Sequence, residues 1–292
     1  FHFSFTFFVE TMKVLVTGAN GFIGRHVVRA LEEVGHGVVT LDMPWYASMN
    51  LACDITKPLP EVPELDAVIH LAAMASPQKC DADPSGAFAT NVYGTSNVLR
   101  MALASGARKF VFPSSGHVYD IPPRYLPTDE VHPLRLNNTY TTTKILGEQL
   151  CDLYYQNHGL SYTVLRLFNV YGPGQQLGYF IPDMIAKAKA GSIDLKGTGT
   201  TKDWVYIDDV VRAFCLAIET PFVGAVNIGT GVEADLGTIA SRIARLQGAT
   251  YAGTRSERDT RMCADAGRAK RVLGWKATTE IEEGLDACIA AK

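Results

Sequence analysis

The sequence predicts a doubly wound α/β fold, a parallel sheet covered by helices on both faces, with a smaller α-rich C-terminal lobe. Three observations carry this expectation. From Lys13 onward, short β-branched runs alternate with longer amphipathic segments. The short runs are apolar almost throughout, as strands buried on both faces must be. After Asn169 turn-rich and polar stretches take over. A length of 292 residues, at roughly 150 per domain, fits two lobes or one large domain with an insertion.

Taken in order, VLVT at 14–17 is the first strand, with Gly18 as its stop signal. Phe22, Ile23, Val27, Ala30, Leu31 and Val34 then recur at helical spacing, and Gly35 closes that helix. Val38 to Leu41, AVIHLAA at 67–73 and KFVFPSS at 109–115 are the next strands. Between the last two, Ala87 to Ser105 is long enough for a helix that Gly106 ends. Thr139 to His158 gives a further helix and TVLRLFNV at 163–170 a further strand. GPGQQLGYF is turn-rich, a short helix runs from Ile181 to Ala190, and KGTGTTKDW is polar. WVYI and a helix from Asp208 to Thr220 return to the earlier grammar, followed by VNIG at 226–229 and two or three short helices.

Composition narrows the function classes. Apolar residues at 47% and charged residues at 20% exclude wholesale disorder. A net charge of −3 without a long basic block argues against nucleic acid as the partner. No apolar run approaches the ~20 residues of a membrane-spanning helix, so a soluble chain without membrane partners is expected. Six cysteines lie far apart with no CxxC pair, which suits free thiols in a reducing, cytoplasmic setting better than a zinc site or a disulfide scaffold. FHFSFTFFVE precedes Met12 without the basic start or cleavage site of a signal peptide. Residues 1–11 therefore read as an extension outside the fold, although five phenylalanines could also pack on a neighbouring surface.

TGANGFIG at 17–24 sits between a strand and a helix, where a dinucleotide pyrophosphate is held. Gly18 permits the tight turn, Gly21 lets the backbone approach the pyrophosphate, and Gly24 lets helix and strand pack closely. Asn20, Phe22 and Ile23 line the same turn, whose helix N-terminus offers free N–H groups. Asp42 ends the second strand 18 positions after Gly24, placed to bond both ribose hydroxyls of NAD and to repel the 2′-phosphate of NADP. These signals make 12–168 plus 207–228 a dinucleotide-binding Rossmann domain, and 169–206 plus 229–292 the substrate lobe. Asp54 and Ile55 either flank the adenine or form a strand-end turn. Leu71, Ala72 and Ala73 follow His70, which reads as a buried, hydrogen-bonded histidine; no second metal ligand stands beside it in sequence.

Tyr140 and Lys144 stand one helical turn apart, so both side chains leave one face. An ammonium near a phenol stabilises phenolate and lowers its pKa, and the same lysine could hold a ribose. Ser115, at a strand end, could bind the reacting oxygen beside Tyr140. Taken alone, the pair is equally well a surface contact worth a few tenths of a kcal/mol; its place after a dinucleotide turn and a Ser-bearing strand raises it.

The ordered set TGANGFIG, HLAA, NVYGTSNVL, FPSSGHVYD, YTTTK, LRLFNVYGPGQ, KDWVYIDDV, VNIGTG and ADAGRAKRVLGW, across about residues 12 to 286, resembles the extended short-chain dehydrogenase/reductase family. The likeness is strongest to its NAD-dependent sugar-nucleotide epimerases and dehydratases. It implies that Tyr140 is the catalytic base, Lys144 its partner and Ser115 the assisting hydroxyl. Asn91 in NVYGT matches the asparagine that supports the lysine, and Asn169 in FNVYG the asparagine that meets a nucleotide-sugar diphosphate, although a plain turn residue before Gly172 and Pro173 remains possible. The family's dehydratases place Asp-Glu just after the catalytic hydroxyl. Gly116 and His117 stand there, so the acid/base pair for elimination is missing and His117 becomes a substrate-side residue. Lys202 replaces a frequent arginine, and RSERD at 255–259 replaces RxGD. Lysine offers a point charge in place of a bidentate fork. Lys202 with Arg255 or Arg258 therefore holds phosphate, or is simply solvated basic surface.

The expected activity is an NAD-dependent epimerase acting at C4 of a nucleotide-linked hexose or uronic acid, through a keto sugar. The alternative is an NAD(P)H-dependent ketoreductase acting on a keto sugar or another small carbonyl. A third reading, a cofactor sensor without turnover, leaves the Ser115, Tyr140 and Lys144 set without a purpose. By the same resemblance a homodimer forms through the helices at about 87–105 and 139–158, and no metal takes part.

Overall fold

The computed structural model describes residues 11–46 and 50–291. All but Thr11 of the expected extension lies outside the described residues. The first half of the chain builds β1 (Lys13–Thr17), α1 (Phe22–Glu33), β2 (Gly37–Asp42), β3 (Leu51–Ala52), β4 (Ala67–His70), α2 (Pro77–Ala82), α3 (Pro84–Phe88), α4 (Thr95–Ala104), β5 (Lys109–Ser115) and α5 (Thr139–His158). The second half adds β6 (Ser161–Leu167), β7 (Asn169–Tyr171), α6 (Phe180–Lys189), β8 (Ser192–Lys196), β9 (Thr201–Tyr206), α7 (Ile207–Glu219), β10 (Gly224–Ile228), β11 (Glu233–Asp235), α8 (Leu236–Leu246), β12 (Thr250–Thr254), α9 (Gly267–Leu273) and α10 (Ile281–Ala290).

Seven parallel strands pair in the order β10-β6-β5-β4-β1-β2-β3. Side chains alternate across a strand. Val14 and Val16 therefore pack with Val27, Leu31, Val210 and Phe214 of α1 and α7, while Leu15 packs with Val98, Leu99 and Met101 of α4 on the opposite face. Both faces are dry, which is why the strands read as unbroken apolar runs. The strand order reverses between β1 and β4, and the crevice beyond their carboxyl ends is where such sheets hold ligands.

The late part of the chain forms its own apolar cluster, with Tyr171, Ile181, Met184, Trp204, Ile239 and Leu285 among its members. Beside its helices it carries two small sheets that the sequence reading did not anticipate, β11-β9-β7 and β12-β8. Strands of three to five residues with exposed positions give too short a period to recognise. Within the span assigned to this lobe, Ala269, Leu273 and Trp275 pack into the large sheet's core, and Trp275 Nε1 donates to the Asp209 carbonyl at 2.8 Å. That stretch thus packs on the dinucleotide-binding side.

Three other boundaries differ from the sequence expectation. The AVIHLAA strand stops at His70, and TVLRLFNV breaks at Phe168 between β6 and β7. The helix expected at 87–105 begins at Pro84 behind the Asp83 cap, and Ala89–Gly94 winds as a π-helical stretch. Such a stretch releases backbone groups from the regular ladder. Here the Asn91 carbonyl accepts the Thr95 hydroxyl at 2.6 Å.

Candidate active site

The turn leaves no room for a side chain at Gly18 or Gly24. Gly18 has φ +66°, and a Cβ there would stand 2.6 Å from the Ala72 nitrogen. A Cβ on Gly24 would stand 2.1 Å from the Gly18 carbonyl oxygen. Gly21 N donates to Gly18 O at 3.0 Å, and no side chain caps α1. The first N–H groups of that helix therefore face the crevice. Leu71 N and Ala72 N donate to Thr17 O and Oγ1, both at 3.1 Å, which fastens the 71–73 segment against the turn.

His70 completes this frame. Its Nδ1 lies 2.7 Å from Thr17 Oγ1 and its Nε2 3.0 Å from Thr95 Oγ1. Because Thr95 spends its proton on Asn91 O, His70 Nε2–H donates and Nδ1 accepts. Burial, and then Lys144, hold the imidazole down to about 3. It is a neutral strut, as the sequence reading expected.

Asp42 ends β2 beside the turn, its Oδ2 accepting Asn20 N at 2.9 Å and its Oδ1 accepting Met43 N at 2.8 Å. Asp54 Oδ1 accepts Thr56 N at 2.9 Å, so the carboxylate closes a local turn. Ile55 is 4% exposed and packs on Gly94, its carbonyl taking Asn97 Nδ2 at 2.9 Å. Its side chain serves the core, and the Asp54 turn is the strand-end turn of the two readings. The side-chain-free turn, the uncapped helix and the carboxylate at the β2 end fit a dinucleotide.

The catalytic candidates meet at the end of β5. α5 starts at a capping box in which Asn138 Oδ1 accepts Thr141 N at 2.9 Å while Thr141 Oγ1 accepts Asn138 N at 3.1 Å. This fixes Tyr140 in the first turn and Lys144 in the next. Lys144 Nζ donates to the Pro113 carbonyl at 2.8 Å and lies 5.0 Å from the Phe112 ring centroid and 5.9 Å from that of Tyr140. Burial holds the ammonium down to about 8. The Tyr140 phenol is pushed above its usual value by burial, a hydrogen bond with Ser115 pulls the other way, and Tyr179 adds to the rise. The expected lowering by Lys144 is not found. The ammonium sits by the aromatic ring and gives one of its three N–H groups to Pro113.

Asn91 also departs from expectation. It accepts Met74 N at 2.7 Å and donates to Met74 O and to Thr143 Oγ1, both at 3.0 Å. It supports the residue before Lys144, not the lysine itself. Tyr179, the residue preceding α6, and Cys80, whose Sγ donates to Met74 O at 3.2 Å, also act on this pocket, and neither belongs to a motif that points to it.

On the substrate side, Ser115 Oγ accepts His117 N at 3.1 Å and lies 3.2 Å from His117 Nδ1. Burial and the positive charge of Lys202 on β9 hold that imidazole down to about 4, and burial lowers Lys202 in turn. Asn169 Nδ2 donates to Asp203 O at 3.1 Å and ties β7 to β9. Arg255 and Arg258 lie on an exposed loop. The loop's frame is Asp259, which accepts Gly199 N at 3.0 Å, Thr200 Oγ1 at 3.1 Å and Ser256 N at 3.1 Å. Among the described residues neither guanidinium makes a hydrogen bond or ion pair, and both are exposed.

Residues 14–229 match the family described as NAD dependent epimerase/dehydratase. The chain is 33% identical over 296 residues to a putative UDP-glucose 4-epimerase of Methanocaldococcus jannaschii, covering 93% of this chain and 95% of that protein. It is 30% identical over 306 residues to UDP-glucuronic acid decarboxylase 6 of Arabidopsis thaliana, covering 96% and 88%. Among solved structures, UDP-glucose 4-epimerase of Thermotoga maritima with UDP-glucose superposes with a TM-score of 0.84 at 30% identity, covering 95% of this chain and 97% of that one.

Proposed function

Because this chain belongs to the NAD dependent epimerase/dehydratase family, we propose that it interconverts C4 isomers of a nucleotide-linked hexose or uronic acid. The observation that carries the reading is the pairing of an intact Ser115, Tyr140 and Lys144 site with Gly116 and His117 where elimination chemistry needs carboxylates. When bound, NAD supplies a reversible hydride acceptor for C4, so a keto sugar can form and be reduced on its other face.

The residues divide the work. Gly18, Gly21 and Gly24 admit the pyrophosphate, Asp42 takes the ribose hydroxyls, and Lys144 stands where a nicotinamide-side ribose is held. Tyr140 removes the C4 hydroxyl proton and later returns it, and Ser115 orients that oxygen. Burial of Ser115, with Tyr140 half-buried beside it, also limits bulk water at the reacting oxygen. Asn169 and Lys202 face the diphosphate, and the sugar stays free to turn. We also place the protein in the cytoplasm as a homodimer. All six thiols are free, and Tyr93 and Leu153 are at least half exposed on the outer faces of the 84–104 helical stretch and α5.

The test is incubation of purified protein with UDP-glucose, UDP-galactose and the corresponding uronates, with no cofactor added and products separated by isomer. Exchange of C4 isomers without net NADH is expected. Stoichiometric oxidation of supplied NADH or NADPH points to the ketoreductase instead, and release of carbon dioxide from UDP-glucuronate to a decarboxylase; either result overturns the epimerase reading.

A further inference from the structure

The start of α1 has two tasks in this fold. Its backbone N–H groups, left uncapped by any side chain, are open to a pyrophosphate. Its side chains hold the stretch that follows β7, where the substrate-side span of the chain begins. Gly172 opens that stretch with no room for a side chain, since a Cβ there would stand 2.3 Å from Ile207 Cγ2 and 3.6 Å from Phe22 Cζ. Phe22 in turn stands edge to face with His26 at 5.7 Å, and the Pro173 carbonyl acts on that imidazole.

Arg25 completes the contact. Its Nη2 donates to the Gly174 carbonyl across 149 residues of chain, and its guanidinium lies 5.8 Å from the Phe22 ring centroid. Gly174 has φ +79°, a conformation that suits glycine, and a Cβ there would press on Nη2 of Arg25. Other bonds of this stretch stay local. Gln175 Nε2 donates to Val170 O at 3.0 Å, and Gly178 N donates to Asp183 Oδ1 at 2.8 Å. They shape residues 172–179 without tying them to α1. At the far end, Tyr179 precedes α6 and acts on Tyr140. The stretch thus runs from the cofactor helix to the catalytic pocket.

We propose that Arg25 is a positioning residue that fastens residues 172–179 to the cofactor helix, so that NAD and a nucleotide diphosphate favour each other's binding. The identity of the second ligand rests on the epimerase reading; the bond to Gly174 does not. The coupling comes from a shared element. A ligand that steadies the start of α1 also steadies what Arg25 holds, and the second ligand then has less ordering left to do. Linkage makes the effect reciprocal, so the nucleotide must also hold NAD in place.

The test compares the NAD-loaded full chain with Arg25→Met, which keeps the aliphatic stem beside Phe22 and removes the donors. Amide hydrogen exchange within 172–179, read by mass spectrometry, should quicken about fivefold in the variant, the scale of one net hydrogen bond. Exchange in β4 and α10 should not change. An unaltered rate over 172–179 overturns the proposal. The second measurement is release of bound NAD, followed by its replacement with labelled NAD, with and without saturating UDP. UDP should slow release about fivefold in wild type and leave it unchanged in Arg25→Met. A purely structural role for Arg25 would alter release without removing its dependence on UDP. Equal effects of bound UDP on the two proteins, none included, also overturn the proposal. Arg25→Ala takes the place of the methionine variant should that one fail to fold. If calorimetry finds no UDP binding to the NAD-loaded wild type, the nucleotide-sugar reading falls, and exchange over 172–179 alone judges the bond to Gly174.

Discussion

The two ends of the candidate site are built from different materials. At the β1–α1 turn the surface is backbone: Gly18 and Gly24 stand where any Cβ would meet main-chain atoms at 2.6 and 2.1 Å. At the substrate end it is side chain, with Asn169 and Lys202 projecting from the small sheet and Arg255 and Arg258 from a loop clamped by Asp259. A backbone surface tolerates almost no variation. A side-chain surface allows many solutions, because long flexible residues reach the same point from several positions. The cofactor end should therefore be rigid and sensitive, and the substrate end adaptable.

Between the ends lies the seam formed by β5 and α5, and the largest effect should fall there. Tyr140→Phe removes the proton acceptor and leaves the ring packed. We expect kcat to drop about 10²–10⁴-fold, the usual contribution of a positioned acid/base. Fold and NAD retention, followed by circular dichroism and by nucleotide released on denaturation, should not change. Near-wild-type turnover would move the chemistry off the seam. Next comes Gly24→Ala, whose methyl meets the Gly18 carbonyl. Overpacking of this kind costs about 1–3 kcal/mol, so NAD affinity by calorimetry should fall roughly 5–150-fold, and no loss would mean that the turn is not rigid.

The same contrast explains what was legible in sequence. Glycines 18, 21 and 24, the aspartate at the end of β2 and the full extent of α5 could be read because each follows from a local rule of turn, strand end or cap. The three candidate catalytic residues were readable in order but not in energetics. No local rule shows that Lys144 turns to Pro113, or that burial outweighs its charge at Tyr140. The partners of Asn91 were not legible, because Met74 and Thr143 lie 17 and 52 residues away. The small sheets and the Asp259 clamp depend on tertiary pairing between short segments, which has no period to detect. Ile55 follows the same logic: its burial against Gly94 is set by a helix that packs from a distance.

Asp42 offers a sharper probe of the rigid end. Both of its oxygens accept backbone N–H groups, so Asp42→Ser removes a charge and at least one acceptor. Charge-assisted bonds contribute about 1.5–3 kcal/mol. NAD binding should weaken by roughly tenfold or more, while NADP binding, freed of repulsion toward its 2′-phosphate, should strengthen. If both cofactors weaken equally, Asp42 is structural only. A milder effect comes from pH. The Lys144 ammonium, held down to about 8, is present below that value and lost above it. NAD retention should therefore fall severalfold as pH rises from neutrality through about 8, and a pH-independent affinity would remove Lys144 from the ribose site.

The smallest effect is expected at the adaptable end, where it also cuts most finely. Arg255 and Arg258 are exposed and project from a loop whose shape depends on Asp259, not on either guanidinium. Lone exposed charges contribute about 0–1 kcal/mol and are screened by salt. Arg258→Ala and Arg255→Ala should therefore raise KM by no more than about threefold, the more so at low ionic strength, with kcat unchanged. Lys202→Met should do more, since that lysine is half-buried and also acts on His117. Its loss removes a held cation and lets the imidazole protonate at higher pH, so both KM and the acid side of the pH profile should move. If either arginine proves to matter more than Lys202, the loop closes over the substrate and the exposed arrangement is a resting one. The substrate end would then be adaptable through motion of its backbone as well as through the reach of its side chains.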